Sequence, residues 1–277
     1  MPELPEVETI RSIIEPQISG QKITSVKINN PQVVAYPDAE SFVSLLSGQC
    51  VTDMSRRGKF LTINFKSGDH LVLHLRMTGQ LLVTPPTYPL EKHTHLIVEL
   101  SGGNQIRYID VRRFGRFWLL RKGEADTVSG QSKLGIEPLG DELTGAYLKS
   151  HAGKSRKAIK EALLDQIIVA GIGNIYSDEI LYAAKINPAQ TGESLSAREW
   201  NCIAQKIKAV IAWGIETDRM TPEEYLAGAG KEYRNSPDLK VYDREGQPCR
   251  RCKTPLEKII IGGRSSCYCP VCQKKHR

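Results

Sequence analysis

After Met1 the chain opens PELPEVET, and within it Pro2 and Glu3 are the neighbours that could do chemistry. An initiator methionine is normally removed ahead of proline, which would leave Pro2 as a free secondary amine. An α-amino group has a pKa of about 7.7–8, against about 10.4 for lysine, so a sizeable fraction is unprotonated at neutral pH. Such an amine attacks carbonyl-like carbon, and a secondary amine yields an iminium that stays positive and draws electrons. Glu3 stands beside it as a group that can supply or take a proton.

The second constellation lies at the other end. Five of the seven cysteines fall in the last 29 residues, and Cys249-x2-Cys252 followed after sixteen residues by Cys269-x2-Cys272 is the spacing of a four-thiolate site. Two such knuckles can meet one tetrahedral ion, so one structural Zn2+ is expected, with no ligand position left open. Cys267 suits a knuckle poorly, while Cys50 and Cys202 stand alone. The stretch between the knuckles is long enough for a β-hairpin turning at Gly262-Gly263, with Arg264 beside the turn as either a groove or phosphate contact or a solvated arginine.

A third stretch, AGIGNIYSDE, reads as a tight turn at Gly171 and Gly173, then a helix from Ile175 to about Ala184 capped by Asn174. Free N–H groups at a helix start make an anion site. No G-K-[ST] or G-x-G-x-x-G follows, which excludes a nucleotide loop. Lys154, Arg156, Lys157 and Lys160 lie just upstream, so the expected anion is a DNA phosphate.

The elements that must hold these groups are legible in outline. Pro5, Glu6 and the apolar stripe Val7, Ile10, Ile14, Ile18 predict a helix over 5–18. Short alternating runs at 23–29, 60–65, 70–77, 95–100, 106–111 and 116–120, punctuated by turn residues, predict a β-sandwich or barrel. Residues 123–145 are polar and glycine-rich and read as a linker, and helical periodicity follows from 146 to about 214. The expected domains are therefore 2–122, the linker 123–145, a helical domain 146–240 and a zinc module 241–277. Thirty-eight Lys and Arg against 31 Asp and Glu give a net charge of +7, which favours a polyanionic partner. No signal peptide and no membrane-spanning run is present, so a cytoplasmic protein is expected.

Taken together these residues resemble the bacterial formamidopyrimidine-DNA glycosylases. PELPEVET, RRGKF, HLRM, DVRRFG, LLDQ, AGIGNIYSDE, YDREGQPC and the zinc motif ending in CQ occur here in that family's order. The resemblance implies an α+β multidomain fold: an N-terminal β-sandwich with a flanking helix, a helix-two-turn-helix domain and a C-terminal zinc-finger β-hairpin. It implies a monomer acting on double-stranded DNA that contains an oxidised purine or an abasic site. By the same resemblance Pro2 attacks C1′ of the damaged nucleotide, Glu3 protonates the sugar ring oxygen, and Glu6 supports the amine. Lys59 matches a proton donor and phosphate contact, and Arg264 the arginine of the δ-elimination step. Met77, Arg112 and Phe114 match the trio that fills the void left by the flipped base. His93, Lys160 and Asn174 match phosphate contacts. Two other readings are an oxidised-pyrimidine glycosylase of the endonuclease VIII type, whose chains typically start PEGPE, and a DNA-binding member without catalysis. Residues 215–240 depart from the family pattern, with acids, Pro222 and Pro237 where many relatives have a glycine-rich loop over the flipped base. This segment is expected to set lesion choice.

Overall fold

The computed structural model describes residues 2–230 and 238–275, which form two compact units. The first comprises Pro2, residues 6–132 and residues 218–230; the second comprises Glu3–Pro5, residues 133–217 and residues 238–275.

Two sheets build the first unit. One has the order β1 (Ile23–Ile28), β7 (Thr94–Leu100), β8 (Gln105–Asp110), β6 (Gly79–Thr84), antiparallel throughout. The other runs β2 (Val34–Tyr36), β9 (Arg116–Leu120), β5 (His70–His74), β4 (Phe60–Phe65), β3 (Val51–Arg57), with β2 and β9 parallel. Leu81, Leu96 and Val98 from the first sheet share one core with Leu61, Leu73 and Phe117 from the second. The stripe Val7, Ile10, Ile14 and Ile18 of helix α1 (Leu4–Ile18) and Phe42 and Leu46 of α2 (Ala39–Leu46) join it. These inward faces are the apolar positions of alternating strands and a one-sided helix.

The second unit packs α3 (Gly145–Ala152), α4 (Ile159–Leu164), α5 (Asn174–Ala184) and α6 (Ala197–Thr217) around Leu148, Leu163, Tyr176, Ile180, Trp200 and Ile207. Strands β10 (Glu257–Ile261) and β11 (Arg264–Tyr268) form an antiparallel hairpin in the same unit. Its turn is Gly262-Gly263, with φ of 54° and 75°; a two-residue turn of this hand needs positive φ at both positions, which glycine takes without strain.

Several expectations need correction. Residues 133–145 are not linker: they pack with the second unit, where Leu143 is buried. Strands β2, β3 and β6 and helix α2 lie outside the predicted runs; β3 carries a register shift between Val51 and Asp53 that breaks its alternation. The run 70–77 ends as a strand at His74, because Arg76 takes φ 57°. Residues 218–230 do not continue the helical domain but pack with the first unit. There a capping box at Thr221 and Glu224, with Pro222 at the first helical position, starts α7 (Pro222–Ala227). Tyr225 is buried in the sandwich core and its hydroxyl donates to the Leu81 carbonyl at 3.2 Å. Of the divergent segment, residues 231–237 lie outside the described residues. Among the described residues, no helix is long and apolar enough to cross a membrane.

Tyr225→Phe removes one buried hydrogen bond and should lower unfolding stability by about 1 kcal/mol. Tyr225→Ala also opens a cavity and should cost about 3–5 kcal/mol. Urea denaturation followed by circular dichroism checks both; equal losses for the two variants would contradict the packing of α7.

Candidate active site and DNA interface

Helix α5 starts inside the second unit, where water cannot satisfy its first N–H groups. Glu3 satisfies them. Its Oε2 accepts from the N–H groups of Gly173 at 2.7 Å and Tyr176 at 3.2 Å, and its Oε1 from Ile175 at 2.8 Å. Leu4 adds a backbone bond, its N–H donating to the Gly171 carbonyl at 3.1 Å. The glycines exist for this approach: a Cβ on Gly173 would lie 2.3 Å from the Glu3 carboxyl carbon, and one on Gly171 2.5 Å from Leu4 Cδ1. Gly171 also takes φ 87°. Two expectations change here. The N-cap is Gly173, with Asn174 already inside the first turn, and the anion at the helix start is Glu3 rather than a DNA phosphate. Glu3 is 3% exposed and Pro2, to which it is joined, is also buried.

Two further acids on α5 face inward. Asp178 Oδ1 accepts from Lys160 Nζ at 2.7 Å and Ser266 Oγ at 2.6 Å, and its Oδ2 from the Cys267 N–H at 3.0 Å. Lys160 Nζ donates in addition to the Ser265 carbonyl at 2.6 Å. The expectation that Lys160 meets a DNA phosphate is corrected: its side chain is fully buried, turned inward with Ile159 and Leu163. Burial pushes the Lys160 pKa down and the Asp178 pKa up, and their mutual ion pair opposes both shifts. Glu179 accepts from the N–H groups of Lys240, Val241 and Tyr242 at 2.8–3.0 Å, which anchors the chain entering the zinc module. The sequence signal for Asp178 and Glu179 is a helix with adjacent acids and no polar face to put them on.

Lys154, Arg156 and Arg264 are exposed, and Asn174 is half-buried with Nδ2 3.5 Å from Ser265 Oγ. Arg264 follows the hairpin turn at the edge of a cavity of about 430 Å³ that it shares with Lys157, Glu161 and Asp165.

In the first unit Lys59 occupies the turn of the β3–β4 hairpin, where Arg57 pairs with Phe60 and Gly58 takes φ 55°. It is 6% exposed, and Glu6 on α1 is 3% exposed. Helix and hairpin are tied by Arg56 Nε, which donates to Glu8 Oε2 at 2.9 Å, while Arg56 also donates to the Gly58 carbonyl at 3.1 Å. Burial, then the charges of Arg76 and Lys59, push the His74 pKa down to about 3. The neutral ring accepts the Arg76 N–H on Nδ1 at 2.9 Å. Beyond that loop Met77 is 39% exposed, and Phe114 on the loop after β8 is 47% exposed with the Arg112 guanidinium 4.7 Å above its ring. His93 is half-buried, its carbonyl accepting the Asp110 N–H at 3.1 Å.

The sulfurs of Cys249, Cys252, Cys269 and Cys272 all lie within 4.8 Å of one another. A tetrahedral ion with Zn–S of about 2.3 Å needs sulfurs about 3.8 Å apart. The Arg251 N–H points to Cys249 Sγ and the Cys272 N–H to Cys269 Sγ, each at 3.4 Å, as knuckle turns require to support thiolates. Cys267 stands outside this set, with its N–H on Asp178. Gln273, 1% exposed, locks the second knuckle by accepting the Cys269 N–H at 2.9 Å and donating to the Ile186 carbonyl at 2.9 Å. The donor set fits one structural zinc.

Three family models match in order: the formamidopyrimidine-DNA glycosylase N-terminal domain at residues 1–117, the H2TH domain of the same enzymes at 134–225, and the zinc finger found in FPG and IleRS at 246–275. A formamidopyrimidine-DNA glycosylase of Desulforamulus reducens is 44% identical over 275 residues, covering 99% of each chain. The chain belongs to the formamidopyrimidine-DNA glycosylase family. Solved structures of the Lactococcus lactis enzyme of this family are similar throughout. Its complex with DNA containing FAPY-dG has a TM-score of 0.87 and its complex with DNA containing an oxidised pyrimidine 0.90. Both are 34% identical and cover 99% of this chain and 100% of the other.

Gly173→Ala should push Glu3 off the α5 N–H groups and reduce base excision on the order of 100-fold, as a misplacement of about 1 Å does. Zinc content and DNA affinity should be retained, which single-turnover excision, metal analysis and a binding titration check together. Cys249→Ser or Cys269→Ser should release the one zinc and weaken DNA binding while leaving the circular dichroism of the sheets in place. Metal release by Cys267→Ser instead would contradict the ligand set.

Proposed function

We propose that this family member is a base-excision-repair enzyme that removes 8-oxoguanine and formamidopyrimidines from duplex DNA and then cuts the strand at the abasic site. The observation that carries the reading is the fixed N-terminus, in which three backbone N–H groups hold the carboxylate of the residue joined to Pro2.

In this mechanism the Pro2 nitrogen forms a bond to C1′ as the glycosidic bond breaks and the base leaves. Glu3 takes the proton that the Pro2 nitrogen sheds on attack and passes it to the ring oxygen, so the C1′–O4′ bond breaks, the sugar opens and the adduct becomes an iminium. The iminium acidifies C2′; loss of that proton expels the 3′-phosphate, and a second elimination releases the 5′-phosphate. Lys59 serves the first elimination and Arg264 the second, while Glu6 supports the amine. Met77, Arg112 and Phe114 fill the vacated stack, with Arg112 bonding the orphaned cytosine. Lys154, Arg156, His93 and Asn174 contact backbone phosphates, in keeping with the net charge of +7. The zinc ion has a structural part only, since four thiolates fill its coordination. The enzyme works as a monomer.

Borohydride reduces an iminium to a stable amine and so records the intermediate. Incubation with an 8-oxoguanine:cytosine duplex and borohydride should give a protein–DNA adduct that peptide mapping places on Pro2. An adduct on a lysine would overturn the N-terminal mechanism. Faster trapping on an oxidised-pyrimidine duplex would favour the endonuclease VIII type of specificity.

A further inference from the structure

Asp110 closes β8 just ahead of exposed Arg112 and Phe114, yet it is 0% exposed. Its Oδ2 accepts from the Tyr108 hydroxyl at 2.9 Å and the Gly115 N–H at 2.9 Å. Its Oδ1 accepts from the Arg112 N–H at 3.1 Å and from the Thr78 hydroxyl. Thr78 directly follows Met77, and its oxygen lies 3.3 Å from the same Arg112 N–H. Four donors thus meet a carboxylate's four acceptor sites. The hydroxyls of Thr78 and Tyr108 could reverse their direction, but the two N–H groups cannot, and each faces a different oxygen. An amide in place of the carboxylate would therefore leave one N–H opposite another donor.

The backbone around this carboxylate is held in unfavourable geometry. Arg76, before Met77, takes φ 57°, and Arg113, between Arg112 and Phe114, takes φ 59°. Left-handed non-glycine residues persist only where their surroundings over-determine them. Gly115 leaves no room for adjustment, since a Cβ there would lie 1.7 Å from the Tyr108 hydroxyl.

We propose that Asp110, acting with Thr78, is a positioning residue for void filling: one buried carboxylate clamps the Met77 loop to the Arg112–Phe114 loop, so that the three side chains enter DNA as a single wedge. The proposal rests on the reading of Met77, Arg112 and Phe114 as the void-filling trio, and it assigns their alignment to a group that touches no DNA.

The test is a mutant cycle read by single-turnover excision of 8-oxoguanine opposite cytosine. Asp110→Asn should lower the rate roughly tenfold or more, the effect of losing a hydrogen bond to a charged group. Thr78→Val should lower it less, and Thr78→Ser, which keeps the hydroxyl, should recover most of that loss. In a Met77→Ala/Arg112→Ala/Phe114→Ala background, Asp110→Asn should cost less than about twofold, because residues acting through one another are not additive. A further tenfold loss in that background would overturn the proposal, as would full activity of Asp110→Asn in the otherwise native chain. Undiminished activity of the triple-alanine variant would overturn the reading of the trio itself. If Asp110→Asn fails to fold, the same cycle with Thr78→Val decides the matter by the same criterion.

Discussion

A helix that begins inside a protein leaves N–H groups pointing at whatever the chain can bring to them. For α5 that partner is the carboxylate of Glu3, and the local sequence is built around the meeting. Gly171 and Gly173 clear the space, the Gly171 N–H donates to Gln166 Oε1 at 2.9 Å, and Gln166 Nε2 returns a bond to the Ile172 carbonyl at 2.7 Å. Without the carboxylate the helix start would hold unsatisfied donors, each costing about 1–3 kcal/mol. The same contact that completes the helix therefore fixes the residue next to the proposed nucleophile.

Buried polar groups recur along α5, and both Asp178 and Glu179 reach backbone N–H groups of the chain beyond it. Glu179 collects three N–H groups of 240–242, and Asp178 with Lys160 engages β11 at Ser265, Ser266 and Cys267. Replacing a buried pair with apolar residues is often neutral for stability, whereas removing one partner costs about 3–5 kcal/mol. What the pair supplies here is register: it holds the strand that carries Arg264 at one height against the helix.

The zinc ligands were legible because a knuckle is local, with only two residues between the cysteines of each pair. The amphipathic faces of α1 and α6 were legible for the same reason. The type and place of Glu3 mark it out in the sequence, but not its partner, since nothing in PELPE points to a helix some 170 residues away. Lys160 sits in a run of basic residues, and only the register of α4 shows that it turns inward while Lys154 and Arg156 stay out. Strand β3 was hidden by its register shift, and α7 by its neighbours, whose charges read as loop while Tyr225 anchors it to the sheet. Asp110 stood inside a recognised motif, DVRRFG, yet its four hydrogen bonds draw on residues as distant as Thr78.

The separation between Glu3 and its acceptor helix also sets an order of events during synthesis. The donors at Gly173, Ile175 and Tyr176 do not exist until the ribosome has added them, 170 to 173 residues after Glu3. At about 5–20 residues per second that delay is roughly 10–30 s. Through that interval Glu3 has no helix start to dock on. Closure of this contact then comes from a distance, only once residues 173–176 have been made.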